Sequence, residues 1–312
     1  MIVIFRSVPK YDFMRQRWFA FGWTGFMMVV AAAALIANGL AFGIDFRGGI
    51  LIEARGQQAF DMAAVRSTLG GLDVGEVALQ NVDGSRDLLI RVEQPEGGQT
   101  QAVEVIEKIK GALPRDIEYR NVEMVGPQVS GELLRGALIA AGLAVLGIGL
   151  YVAVRFEWQF GVAALVATAH DVFCTFGLFA LLNLEFNLAA VAAILTIAGY
   201  SVNDTVVVFD RVRENLRKYK KMPLYDVFNL SVNETLSRTI LTSGTTLAAV
   251  LPLLFLGGAA IENFSTALTF GILVGTYSSI WVGSAILLYM PPIGTARRRD
   301  DENEAVSGTT AG

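Results

Sequence analysis

A chain of 312 residues with one cysteine, Cys174, and one histidine, His170, is short of the side chains from which most active sites are built. A single cysteine excludes an intrachain disulfide and a cysteine cluster around a metal, and one imidazole adds little coordinating power. There is no GxxxxGK[ST] phosphate loop, no HExxH, and no GxSxG in a strand-turn-helix setting, so ATPase and protease machinery are absent. No catalytic group, cofactor or metal is expected. Charge is scarce as well: 17% of residues are charged against 53% hydrophobic, at a mean hydropathy of +0.49. Soluble domains seldom carry that balance, and the sequence reads as a polytopic membrane protein.

Apolar runs of spanning length occupy residues 18–42, 133–154, 158–182, 188–209, 238–256 and 264–290, each near the ~20 residues a helix needs to cross the hydrocarbon core. The first run lacks a small-x-small cleavage site and reads as a retained anchor. Two short loops, 183–187 and 257–263, contain no Lys or Arg. The cations instead cluster at Arg6, Lys10, Arg15 and Arg17, at Arg155, from Arg211 to Arg238, and at Arg297, Arg298 and Arg299, all on the other side of a six-span plan. The positive-inside rule then places both termini in the cytoplasm. On this plan residues 1–17 and 210–237 are cytoplasmic, and the tail, 291–312, is expected to be disordered. Within 210–237, a helix opening at Pro223 with Leu224, Val227, Phe228 and Leu236 on one side reads as interfacial, lying on the inner leaflet. Asp210, Arg211, Arg213 and Glu214 read as a solvated helix end.

Residues 43–131 are polar and long enough to be exported whatever their charge. ILIEA, the region around GEVALQNV, DLLIRVEQ and IEYRNVEMV read as strands, with FDMAAVRSTL and TQAVEVIEKIKGAL as helices. The order β-α-β-β-α-β predicts a ferredoxin-like α+β head between the first and second spans.

The ionisable residues inside spans carry the functional signal. His170 and Asp171 fall near the middle of the third span, and Asp204, beside Asn203, falls five residues before the inner end of the fourth. An acid at membrane depth costs ~2.5 to 3.5 kcal/mol on insertion scales, so it faces the bundle interior or a wet path and has a partner. Arg238, at the start of the antiparallel fifth span, has the right depth to pair with Asp204. Ile197, Tyr200, Ser201, Asp204 and Val208 share a helix face, and Thr239, Thr242, Ser243, Thr245 and Thr246 make the fifth span rich in hydroxyls. Two readings stay open here: a hydrated proton route, or a static ion pair that fixes helix register. His170 and Asp171 admit a relay or an interhelical hydrogen bond. Small residues recur every four positions at Gly271, Gly275, Ser279 and Gly283, and at Gly136, Ala140 and Ala144, a spacing that permits close helix approach.

GIDFRGG (43–49), VGPQVSGEL (125–133), AHDV (169–172), GYSVNDTVVVFDRVREN (199–215) and TLSRTILTSGTTL (235–247), in this order on six spans, resemble the SecD/SecF family of bacterial protein-export membrane proteins. That family sits in the resistance-nodulation-division superfamily. NDT in the fourth span and GIDF at the head favour the SecF side. The resemblance implies half of a resistance-nodulation-division-type bundle in the inner membrane, working with SecD, the SecYEG channel and YajC on preproteins. Protons would be the coupling ion, with no nucleic acid involved and lipids as surroundings. It further implies Asp204 as the carboxylate of the proton path and Arg238 as its basic neighbour. Asn203, Ser201, His170 and Asp171 are candidate auxiliary residues, and Gly43, Asp45, Gly48 and Gly49 form the head signature.

Overall fold

The computed structural model describes residues 7–72, 74–81, 86–93, 98–114 and 116–291. Residues 1–6 and the tail from 292 onward, where disorder was expected, lie outside them. Six helical stretches are long and apolar enough to cross a membrane, and an α+β head stands between the first and second. After a 3₁₀ turn over Met14–Gln16, the first span is α1 (Arg17–Asn38). It stops four residues short of 42, because the chain becomes extended as β1 (Ala41–Phe42) and then makes the single turn α2 (Ile44–Arg47).

The head follows as β2 (Gly49–Arg55), α3 (Met62–Gly70), β3 (Val77–Asn81), β4 (Asp87–Val92), α4 (Gly98–Ala112) and β5 (Glu118–Val125). The sheet order β3-β4-β2-β5, antiparallel at every pairing, is the ferredoxin-like arrangement. Its core follows from period two along the strands: Ile50, Ile52 and Ala54 of β2, with Leu88, Ile90 and Val92 of β4, face α3 and α4 and are buried there with Leu69 and Ile109. Asp61 caps α3 by accepting the Ala63 and Ala64 amides.

The membrane part continues as α5 (Pro127–Arg155), α6 (Trp158–Leu181), the short β6 (Glu185–Phe186), α7 (Leu188–Lys218), α8 (Leu224–Leu256) and α9 (Ala259–Tyr277). A π-helical turn, Ser278–Gly283, then leads into α10 (Ser284–Leu287), and the last span is α9, this turn and α10 together. α5 starts at Pro127, six residues before 133, because proline is well placed at a first helical position. None of its apolar window is buried within the chain, against 67% for the last span, so α5 stands at the periphery and the last span at the centre.

One expectation on the basic side is corrected. α7 continues past 209 to Lys218, in keeping with a helix end at 210–214, whereas residues 224–256 form one helix rather than an interfacial helix followed by a span. Nothing in the sequence between Leu224 and Thr239 breaks a helix, and the apolar face has a protein partner. Val227, Phe228, Val232 and Leu236 pack with Phe209, Val212 and Leu216 of α7 and with Phe13 and Met14. Asn229 Oδ1 accepts the Phe13 amide at 2.8 Å and Asn233 Oδ1 that of Tyr11 at 2.9 Å, which clips the N-terminal strand of chain to α8. The helix end at 210–214 is likewise cross-linked: Arg155 pairs with Asp210, and Arg211 with Glu214 and Glu234.

In the head, Arg55 and Asp87 are register partners on β2 and β4 and form a two-pronged ion pair at 2.5 and 2.6 Å. The Arg55 hydrogen bond holds the Asp87 carboxyl below its ordinary value of 3.8, against desolvation and assisted by the guanidinium charge. A carboxyl held low binds fewer protons folded than unfolded. Its contribution is therefore complete above 3.8 and is lost as pH falls through the lower folded value. Asp87→Asn should flatten the acid limb of head stability, read as hydrogen-exchange protection of the Leu88–Ile90 amides in the intact protein between about pH 5 and about pH 2. Identical acid limbs in the two proteins would remove this role.

Candidate functional site

The centre of the bundle is where α6, α7 and the last span meet. α7 turns Ile197, Ser201, Asp204 and Val208 inward on one buried face, as helical spacing requires. The last span packs closely on this face: a β-carbon at Gly271 would run into the Ile197 side chain, while one at Gly275 would make ordinary contact with the Ser201 β-carbon at 3.5 Å and one at Gly283 with Phe209 at 3.4 Å. The stripe at Gly271, Gly275, Ser279 and Gly283 is thus a packing seam against α7. A β-carbon at Gly136, in the α5 stripe, meets nothing within 4 Å.

Asp204 is 2% exposed, and both of its oxygens are held by hydroxyls. Thr239 Oγ1 of α8 donates to Oδ1 at 3.0 Å, and Ser279 Oγ of the π turn donates to Oδ2 at 2.5 Å. Arg238 is exposed and takes part in none of the ion pairs among the described residues, so the expected Asp204–Arg238 pair does not form. Neighbouring helical side chains diverge by about 100°, and turning Thr239 inward turns Arg238 outward. Asn203 is exposed for the same reason.

Ser201 serves a second acid. Asp171 is fully buried; its Oδ2 accepts from Ser201 Oγ at 2.5 Å and Ser278 Oγ at 2.6 Å, and its Oδ1 lies 2.9 Å from His170 Nδ1. Tyr200 donates to Ser243 at 2.8 Å, and Ser243 and Thr276 share a hydrogen bond of 2.7 Å. Of the hydroxyls expected to line a route along α8, only Thr239 and Ser243 turn inward. Thr242, Thr245 and Thr246 bond back to carbonyls of their own helix. The partners missed in the sequence are Thr276, Ser278 and Ser279. Their signal was the run TYSS at 276–279, polar in an otherwise apolar span.

The head signature meets the bundle at the opposite end of α7. β1 pairs in parallel with β6, and the Gly43 amide donates to Phe186 O at 3.0 Å. Asp45 Oδ2 accepts the Leu188 amide at 2.8 Å, at the N-terminus of α7, where a carboxylate is favoured. Arg91 of β4 reaches down to Glu185, an ion pair that side chains around it largely enclose. Burial pushes the Glu185 carboxyl up, with Arg91 opposing. Gly48 and Gly49 have φ of 78° and 130°, conformations that favour glycine, and a β-carbon at Gly49 would stand 2.5 Å from Val92 O. The two glycines thereby let the chain turn from α2 into the central strand beside β4.

Residues 104–292 match the family model described as protein export membrane protein SecD/SecF, C-terminal, and residues 33–59 match the SecD/SecF GG motif. The chain belongs to the SecD/SecF protein-export family. Among its curated relatives, the protein translocase subunit SecF of Cereibacter sphaeroides is 47% identical over 89% of each chain. That of Rhodobacter capsulatus is 44% identical over 96% of this chain and 94% of the relative. The crystal structure of SecDF, a translocon-associated membrane protein from Thermus thermophilus, superposes on 92% of this chain with a TM-score of 0.84 at 36% identity. SecDF in its super-membrane-facing form matches 98% with a TM-score of 0.64 at 33% identity. This chain spans about two-fifths of those SecDF chains, 39% and 41%. Membership of the family makes it a multi-pass membrane protein of protein export.

The contacts of Asp204 order the local energetics. Ser279→Ala removes the shorter of its two hydroxyl donors and is expected to cost about 1 to 3 kcal/mol, read as a lowered thermal midpoint of the purified protein. Arg238→Ala removes an exposed cation and should stay within about 0.5 kcal/mol of the parent. Equal losses would mean that Arg238 does hold Asp204.

Proposed function

We propose that this chain is the SecF-type subunit that, together with SecD, couples the proton-motive force to preprotein movement through SecYEG. The observation that carries the reading is Asp204: an acid inside a membrane bundle, 2% exposed, held by two hydroxyls and in no ion pair among the described residues. Hydroxyls can donate to a carboxylate and accept from a carboxylic acid, so this site accommodates either protonation state by turning one of its two O–H bonds. An ion pair would favour the charged form. Arg238, exposed one residue before Thr239, acts on the site as a nearby charge and not as a clamp.

The reading places the chain in the bacterial inner membrane with both termini in the cytoplasm and the head exported, in line with the cation-free loops 183–187 and 257–263. The second half of a SecDF-type bundle then comes from SecD, since this chain covers about two-fifths of a SecDF chain. YajC, preproteins and lipids enter as partners on the family resemblance. One charge moved through 100 mV is worth ~2.3 kcal/mol, about two-fifths of the ~5.5 kcal/mol that shifts a two-state element from 1:99 to 99:1. Protonation of Asp204 would thus supply a substantial share of a conformational stroke.

Asp204→Asn keeps the shape and hydrogen-bonding capacity of the side chain but fixes it neutral. Co-purified with SecD, it should assemble at normal yield and lose proton-driven export at least tenfold, while Asp204→Glu keeps part of it. Export at the parent rate in the Asn variant would refute the coupling role and favour a subunit that only scaffolds the assembly.

A further inference from the structure

One buried acid is left without a task by a mechanism centred on Asp204. Asp171 is fully enclosed, and its neighbours form a built site: Ser201 and Ser278 donate to Oδ2 at 2.5 and 2.6 Å, and His170 Nδ1 stands 2.9 Å from Oδ1. The titratable groups around it are His170 and Cys174 on α6 and, on α7, Tyr200 and Asp204, the latter three residues beyond Ser201. From the last span it meets the Ser278 hydroxyl, with Gly275 beside it. Among the described residues, no Lys or Arg pairs with it.

The two acids are read by one element. Ser278 donates to Asp171 and the next residue, Ser279, donates to Asp204. Both serines open the π turn Ser278–Gly283, a wider helical turn that recurs at functional sites. The acids also differ in depth. Asp171 lies ten residues before the head-side end of α6 at Leu181, or about 15 Å, whereas Asp204 lies sixteen residues from the head-side end of α7 at Leu188, or about 24 Å.

We propose that Asp171 is a second proton-binding carboxyl of this chain, nearer the head than Asp204 and coupled to it through the π turn that carries Ser278 and Ser279. The step balances simply. Asp171 carboxylate takes one proton and becomes a carboxylic acid; its new O–H donates to Ser278 or Ser201, whose hydroxyl turns from donor to acceptor. Turning the Ser278 hydroxyl alters the turn that also presents Ser279 to Asp204. A proton taken up at one acid is thereby felt at the other through adjacent serines of one turn. This rests on the proton-coupling reading of Asp204, and the test separates the two.

Asp171→Asn can keep every contact, because its carbonyl accepts both serine hydroxyls and its amide can donate to His170 Nδ1. In the complex with SecD, reconstituted in proteoliposomes, it should reduce proton flux at least tenfold at unchanged yield. Infrared difference spectra of the parent should show two titrating carboxyl bands, one lost in Asp171→Asn and the other in Asp204→Asn, with the surviving band displaced in midpoint each time. Parent flux in Asp171→Asn with an undisplaced Asp204 band overturns the inference. Should Asp171→Asn fail to assemble, Asp171→Glu decides: a titrating band with partial flux supports it, and a silent side chain overturns it. Parent flux in Asp204→Asn defeats the proposed function instead, and the Asp171 band then stands or falls by itself.

Discussion

Everything in the bundle is arranged around the need to satisfy carboxyl groups where no water solvates them. In a hydrocarbon surround each polar group must find its partner inside the protein, and this chain meets that demand with hydroxyls from three helices. Ser201 of α7 and Ser278 of the last span converge on Asp171 of α6, and Thr239 of α8 and Ser279 converge on Asp204 of α7. Hydrogen bonds of 2.5 to 3.0 Å leave little latitude in helix spacing, and Gly271 of the last span lies where a β-carbon would run into Ile197 of α7. Small residues and polar contacts are the two devices by which helices associate without a hydrophobic driving force, and here they act at the same seam.

The periphery follows another logic. α5 buries none of its apolar window within the chain, and α1 and α8 bury 17% each. The polar contacts thus define an inner layer of α6, α7 and the last span. At one end of this layer the basic segments are tied down by Asn229, Asn233, Arg211 and Glu234. At the other end the head is fastened by the β1–β6 pairing, by Asp45 on the α7 N-terminus and by Arg91 on Glu185.

Much of this was legible in the sequence because it is written in periodicity. Alternation along ILIEA and DLLIRVEQ located the central strands, and the absence of charge over ~20-residue runs located the spans. Asp204 stood out because an acid in a span has few structural excuses. Depth along a helix was also legible, which is how Arg238 came to be matched with Asp204. Rotation about the axis was not: one residue's difference turns a side chain by about 100°, and Thr239 took the inward place. Helix continuity through residues 224–256 was hidden because an amphipathic face looks alike whether lipid or α7 covers it. The π turn depends on tertiary hydrogen bonding and leaves no mark beyond the run of hydroxyl residues at 276–279.

The fastening of the head gives α7 the character of a lever. Asp45 bonds the first amide of α7, and Glu185, three residues earlier, is gripped from above by Arg91. A helix of 31 residues is about 46 Å long, so a tilt of about 5° displaces one end by about 4 Å relative to the other. Asp204 sits roughly midway along that rod, beside its contacts with α8 and the last span. A tilt about that midpoint would carry the head-side end of α7 about half that distance, about 2 Å, beneath the contacts made there by Asp45 and Glu185.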